Sequence, residues 1–278
     1  MENKKNLSNW LVASDIDGTL NNKLRKLPKR NEDAIKRFVS MGGRFTLASG
    51  RNPQSMEKHF KRLPIDGTPA VVINGAGLYD FKKKEMIWFS AMSEEGMKLA
   101  IEGAKKFPMV DVIVVAKDLI YITGAGWFGK MFVSADKLDH KHIRNIEDVP
   151  KENWGKVIYS GDPISISRVK KHFESMVDPD ITTMSSSVAS FEILARNTHK
   201  GIAVLKLAEI LGIEKDHTAA IGDYFNDFDM LKTVGVPACC GQAPQELKDT
   251  AEFVACHCNK GAVADFLEYI ESKENNKK

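Results

Sequence analysis

No apolar run in the chain approaches the ~20 residues that a membrane-crossing helix needs, which argues against a helical membrane protein. Excess charge is also missing. Lys and Arg number 40 against 37 Asp and Glu, a net of +3, so the basic surplus of a nucleic-acid-coating protein is absent. Cysteine is scarce, and all four residues fall late, at Cys239, Cys240, Cys256 and Cys258. A secreted disulfide framework would spread them. The spacing lacks C-x-x-C, and each pair sits in an apolar run such as Val236–Cys240. Buried free thiols are therefore expected over zinc or redox work, even with His257 between two of them. The short apolar stretch after Met1–Asn6 soon meets Asp15 and Asp17, so it is not a secretory core. A cytoplasmic protein is the expectation, and neither an internal repeat nor a low-complexity segment is found.

What is present is globular. The 278 residues are 43% apolar and 28% charged, enough for about two domains. Trp10–Ser14 reads as a buried strand, and the spacing of Ala34, Ile35, Phe38 and Val39 predicts a helix over 28–41, closed by Gly42-Gly43. Arg44–Ala48 is a second strand, Pro53–Leu63 a helix and Ala70–Ile73 a third strand. This βαβαβ pattern predicts a parallel sheet with helices on its faces and its site at the carboxyl ends of the strands. From about residue 90 to 190 the alternation becomes irregular and reads as an α+β insertion. It resumes with a helix over 201–211, a strand over 218–221, short strands near 234–240 and 253–256, and a helix over 262–270. The polar tail 271–278 is expected to fray.

Two carboxylates stand directly after the first strand, in Asp15-Ile16-Asp17-Gly18-Thr19-Leu20. Residues two apart at a strand end can face one pocket. The pair suits a nucleophile with an acid/base, or a hard cation such as Mg²⁺; an ordinary acidic turn is the plainer alternative. Gly222-Asp223-Tyr224-Phe225-Asn226-Asp227 follows another strand and adds two carboxylates and an amide, or simply a helix cap. Ser49-Gly50-Arg51 follows the second strand, where a hydroxyl and successive N–H groups can hold a phosphate, or form an ST-turn. Lys200 stands at the mouth of a helix, and Asn74-Gly75 follows the third strand. The joint pattern carries the argument. Independent turns are not expected to bring carboxylates, amide, hydroxyl and lysine to one sheet edge.

In these motifs, their order and their spacing, the chain resembles the haloacid dehalogenase-like phosphatases, specifically the Cof-type group with a large (type IIB) cap. Asp15–Leu20 is similar to the first motif, Ser49 to the second, Lys200 to the third, Asp223–Asp227 to the fourth, and Asn74-Gly75-Ala76 to the Asn-Gly that precedes the cap. The chain departs from the group at Gly241-Gln242-Ala243, where many members carry Gly-Asn-Ala. The resemblance implies a Rossmann-like α/β parallel-sheet core over 1–84 and 191–278, with an inserted α+β cap over 85–190 that sets specificity. It implies Mg²⁺-dependent phosphomonoester hydrolysis through an aspartyl-phosphate. Asp15 would be the nucleophile, Asp17 the acid/base, and Ser49 and Lys200 the groups that hold the phosphoryl. Gly50, Arg51, Asn74 and Asn226 are further candidates for phosphate or substrate. Asp15, Asp17 (through its carbonyl) and Asp223 would be the metal ligands, with Asn226 and Asp227 supporting the loop. The expected partner is a small phosphorylated metabolite, sugar phosphates first, with neither nucleic acid nor membrane involved. Trp127, Phe128, Lys130, His140, His142 and Arg144 are available in the cap for the leaving group. A phosphotransferase or phosphomutase of the same fold, or a non-catalytic phospho-ligand sensor, is the alternative.

Overall fold

The computed structural model describes residues 6–123, 127–136, 138–177 and 179–275. The chain forms two compact units, Met1–Gly50 with Met56–Glu85 and His199–Lys278, and Arg51–Ser55 with Met86–Thr198.

The first unit is built on strands β1 (Leu11–Ser14), β2 (Arg44–Leu47), β12 (Thr218–Gly222), β13 (Val236–Cys239) and β14 (Phe253–Val254). They lie in the order β14-β13-β12-β1-β2, and every pairing is parallel. Leaving β1 the chain moves to one side of the sheet, and leaving β12 it moves to the other. The strand order therefore reverses between β1 and β12, which opens a crevice at their carboxyl ends. The strands are almost wholly apolar and buried, as a sheet covered on both faces requires.

Helix α1 (Lys29–Ser40) buries Ala34, Ile35 and Phe38, the apolar stripe legible in the sequence. Its Asn31 side chain donates to the Leu20 carbonyl and accepts the Ala264 N–H, both at 2.9 Å. One buried amide thus joins the loop after β1 to the first turn of α9 (Ala262–Asn275). The tail departs from expectation, since α9 continues to Asn275 and residues 276–278 lie outside the described set. The polar residues of its last turns have partners elsewhere in the first unit. Arg37 Nε donates to Glu271 at 3.1 Å and Trp10 Nε1 to Glu274 at 2.9 Å.

The third strand also differs. β3 (Ala70–Val72) meets the parallel sheet only through a bridge between Ala48 and Val71, then pairs antiparallel with β4 (Gly77–Asp80). Its three residues end in a turn where Ile73, Asn74 and Gly75 all have positive φ, so the chain reverses instead of entering a crossover helix.

The second unit holds a six-stranded sheet, order β10-β11-β9-β6-β7-β8, from β6 (Asp111–Ala116), β7 (Ile120–Thr123), β8 (His140–Ile143), β9 (Trp154–Ser160), β10 (Ile181–Ser187) and β11 (Ser190–Ala195). All pairings are antiparallel except β7 with β8. Helices α3 (Glu94–Lys106) and α5 (Pro163–Glu174) pack Ala100, Ile101, Val169 and Phe173 against Val112, Val114, Val157 and Tyr159. Each helix starts at a side-chain cap, Ser93 and Asp162 respectively. Alternation along β6 turns Ile113 to the other face, where α4 (Trp127–Asp136) brings Gly129 against Ile122. Among the described residues no helix is long and apolar enough to cross a membrane.

Candidate active site

The register of the parallel sheet brings the sequence motifs of the first unit together. Ser14 at the end of β1 lies level with Leu47 of β2 and Ile221 of β12. The Asp15 N–H donates to the Ile221 carbonyl at 3.0 Å and the Ala48 N–H to the Ser14 carbonyl at 2.8 Å, so the ladder holds until each strand delivers its polar loop. Asp15 is buried, Asp17 is exposed, and Ser49 is buried.

Lys200, the first residue of α6 (Lys200–Leu211), is wholly buried. Its ammonium donates to Asp15 Oδ1 at 2.7 Å and to Asp227 Oδ1 at 2.6 Å. The second Asp227 oxygen accepts the N–H groups of Asp223, at 3.0 Å, and Tyr224, at 3.4 Å. Asp227 therefore ties the lysine to the loop that carries Asp223. Asn226 lies half-buried on the same turn, Phe225–Asp227.

Close backbone approaches set this geometry. Gly75 packs on the start of α6, where a Cβ would stand 2.3 Å from the His199 carbonyl oxygen; with φ at +97° the position suits only glycine. That contact seats the Asn74 turn against the backbone of Lys200. The Asn74 N–H donates to the Ser49 carbonyl at 3.0 Å, and its carboxamide covers Gly50. A β-branched residue with φ +53°, Ile73, begins the turn, and such strain collects where a site needs its backbone held. Arg51 falls in the second unit. There too are the exposed Trp127, Lys130, His140, His142 and Arg144, the two histidine rings 5.6 Å apart on β8. The Phe128 side chain lies outside the described residues.

Burial pushes the Asp15 carboxyl up to about 7 against the pull of Lys200, with Asp227 and Asp223 adding to the rise. Burial and Asp227 push Asp223 up to about 6, opposed by Thr19, Gln242 and Lys200. Burial works to lower the Lys200 ammonium, yet Asp15 and Asp227 hold it above its ordinary value. The lysine is raised while Asp15, its own partner, is also pushed up, because burial outweighs the pull of Lys200 on Asp15 and the neighbouring carboxylates add to the rise.

Oxygens of Asp15, Asp223 and Asp227 lie within 4.8 Å of one another. With all three ionised and Lys200 charged, two negative charges are left uncompensated, which a divalent cation would neutralise. The donors are hard oxygens of the kind Mg²⁺ takes. Since Lys200 and two amides already occupy Asp227, the residues that fit an ion best are Asp15 and Asp223.

Two polar residues at this edge were given no role by the motif reading, although Thr19 stands inside the first motif. Thr19 Oγ1 donates to Asp223 Oδ1 at 3.2 Å, and Gln242 Nε2 to the Gly18 carbonyl at 2.7 Å. For Gln242 the only signal was its departure from the group's Gly-Asn-Ala. The four cysteines are free thiols, three of them buried. Among the described residues the only grouping fit for a metal is the aspartate one.

A parallel sheet with a carboxylate pair after its first strand, a buried lysine and a second acidic loop at its reversal point defines an α/β enzyme built to handle a charged group. The chain belongs to the haloacid dehalogenase-like hydrolase family, whose profile matches residues 12–267. It is 26% identical over 284 aligned positions to the 5-amino-6-(5-phospho-D-ribitylamino)uracil phosphatase YwtE of Bacillus subtilis, covering 94% of this chain and 98% of that protein. It is 22% identical to the pyridoxal phosphate phosphatase YbhA of Escherichia coli, covering 92% and 97%. Among solved structures, the HAD subclass IIB sugar phosphatase BT4131 superposes with a TM-score of 0.79 at 19% identity, over 94% of this chain and 98% of that one.

Proposed function

We propose that the protein is a Mg²⁺-dependent phosphatase that hydrolyses small phosphorylated metabolites through a phosphorylated Asp15. The observation that carries this reading is the buried Lys200 ammonium held between Asp15 and Asp227, with Asp223 beside them and more negative charge than the lysine can balance. Asp15, the Asp17 carbonyl and Asp223 would hold Mg²⁺. When bound, the ion offsets the repulsion between a phosphate dianion and a carboxylate nucleophile.

The chain's own residues do the rest. Lys200 adds the second cation and orients Asp15. An Asp15 oxygen forms a bond to phosphorus as the bond from phosphorus to the leaving oxygen breaks. Asp17, exposed beside the buried nucleophile, gives its proton to that oxygen. It then takes a proton from the water that attacks phosphorus, releasing inorganic phosphate and restoring the Asp15 carboxylate. Ser49 and the backbone of Gly50, braced by Asn74, bind phosphoryl oxygens; Arg51 and Asn226 are further contacts. The first unit acts as the catalytic core, and the second, which extends through Thr198, as the cap that chooses the leaving group. Sugar and polyol phosphates are the first class to test. YwtE is named for a ribityl phosphate and BT4131 as a sugar phosphatase, whereas YbhA is named for pyridoxal phosphate.

The test is phosphate release across sugar phosphates, nucleotides, pyridoxal phosphate and flavin mononucleotide, with and without EDTA. Chelation should abolish turnover, Mg²⁺ should restore it, and Ca²⁺, with its larger and looser shell, should restore far less. Full activity in chelator would refute the metal assignment. Transfer to a sugar hydroxyl without free phosphate would favour the phosphotransferase reading.

A further inference from the structure

Gln242 spends its whole amide at one place. Nε2 donates to the Gly18 carbonyl at 2.7 Å and lies 3.5 Å from Asp223 Oδ2, while Oε1 accepts the Cys258 N–H at 3.0 Å. These partners belong to three loops, after β1, β12 and β14. The contact between the first two is tight, since a Cβ on Gly18 would stand 2.3 Å from Asp223 Oδ2. The Asp223 carboxylate therefore lies against the backbone of the first motif, with Thr19 on Oδ1 and the Gln242 amide on the side of Oδ2.

We propose that Gln242 is a positioning residue for the divalent-cation site, fixing the Asp223 carboxylate and the loop that presents the Asp17 carbonyl in the arrangement the ion requires. This rests on the Mg²⁺ reading given above. The chemistry calls for a neutral side chain that accepts at one end and donates at the other. An ammonium could not accept the Cys258 N–H, and a carboxylate could not donate to Gly18. Asparagine carries the same amide one methylene nearer its own backbone, so from this Cα it falls short of the Cys258 N–H and the Gly18 carbonyl. Groups that orient metal ligands typically contribute 10–100-fold to metal affinity or activity.

The experiment compares wild type, Gln242→Met and Gln242→Asn by calorimetric titration with Mg²⁺, by melting in EDTA and by kinetics on one phosphate ester. Methionine keeps the volume without the hydrogen bonds; asparagine keeps an amide without the reach. Gln242→Met should still fold, melting modestly below wild type without metal because the Cys258 N–H and the Gly18 carbonyl lose a partner, and should bind Mg²⁺ about 10-fold more weakly. At saturating Mg²⁺ its kcat should recover with KM unmoved, and Gln242→Asn should regain part of the lost affinity. Wild-type Mg²⁺ affinity in folded Gln242→Met would overturn the proposal, as would a raised KM at saturating metal, which would mean substrate contact. Should Gln242→Met not fold, the same two readouts on Gln242→Asn decide, with a several-fold loss of affinity expected. If wild type itself does not bind Mg²⁺, the metal reading fails, a result distinct from an unaffected variant.

Discussion

Lys200 shows most directly what one residue contributes here. Its charge is out of water and balanced only by neighbouring carboxylates, so deleting it leaves Asp15 and Asp227 buried without their cation. Breaking such a pair costs about 3–5 kcal/mol, and Lys200→Met should lose stability on that scale in urea unfolding. Adding Asp227→Asn should recover much of the loss while activity stays absent. Unchanged stability in the single variant would contradict the pairing. The two carboxylates of the first motif separate just as sharply. Asp15→Asn should abolish turnover and any phosphoenzyme, because an amide is a poor nucleophile. Asp17→Asn should keep Mg²⁺ binding through its carbonyl and lose about 10²–10⁴-fold in rate, less in the first step for a p-nitrophenolate leaving group than for a sugar alkoxide. Acid-quench mass spectrometry should find the phosphoryl group on Asp15; an adduct on Asp17, Ser49 or a histidine would refute the mechanism.

Among the elements, α1 carries more than its apolar stripe announces. Lys36 and Arg62 each approach its Glu32 to 2.7 Å, and their hydrogen bonds hold that carboxyl down at about 2. A depressed carboxyl stabilises the fold above its unfolded value of 4.5, and that contribution disappears as pH falls through 2. Calorimetry should therefore show the gap in melting temperature between wild type and Glu32→Gln widest above pH 5 and narrowing steadily below pH 4.5; a gap independent of pH would contradict the pairing. The Lys36 contact follows from i,i+4 spacing and is legible in the sequence, whereas the Arg62 contact comes from α2 (Pro53–Arg62) and is not. The same division applies to the strands. Apolar runs announce β1, β2 and β12, but the departure of β3 into an antiparallel pair depends on consecutive positive φ values that no periodicity encodes.

The molecule as a whole divides its chain between two units, one built on the five-stranded parallel sheet and one on the six-stranded sheet, each with its own buried side chains. The carboxylates, Lys200, Ser49 and Asn74 all belong to the first. On the proposed reading the second selects the leaving group. Substituting Trp127 or His142 should therefore change the ratio of kcat/KM between two substrates more than it changes hydrolysis of a small generic ester. A uniform loss, with melting temperature unchanged, would count against that selective role.

Much of the site was determined by the sequence alone, because its chemistry is local. A carboxylate pair closing a strand, an acidic loop closing another and a lysine opening a helix can be read from residue type and spacing, and the parallel alternation implies that strand ends gather at one edge. Tertiary structure decided the rest, for a physical reason. Which carboxylates share the Lys200 proton donors, and how far burial pushes Asp15 and Asp223, depends on groups as distant in the chain as Asp15 and Asp227 meeting without water. So does the part played by Gln242, whose partners lie 224, 19 and 16 positions away. Nothing local marks such a glutamine, since its three hydrogen bonds exist only once β1, β12, β13 and β14 have been assembled in one sheet.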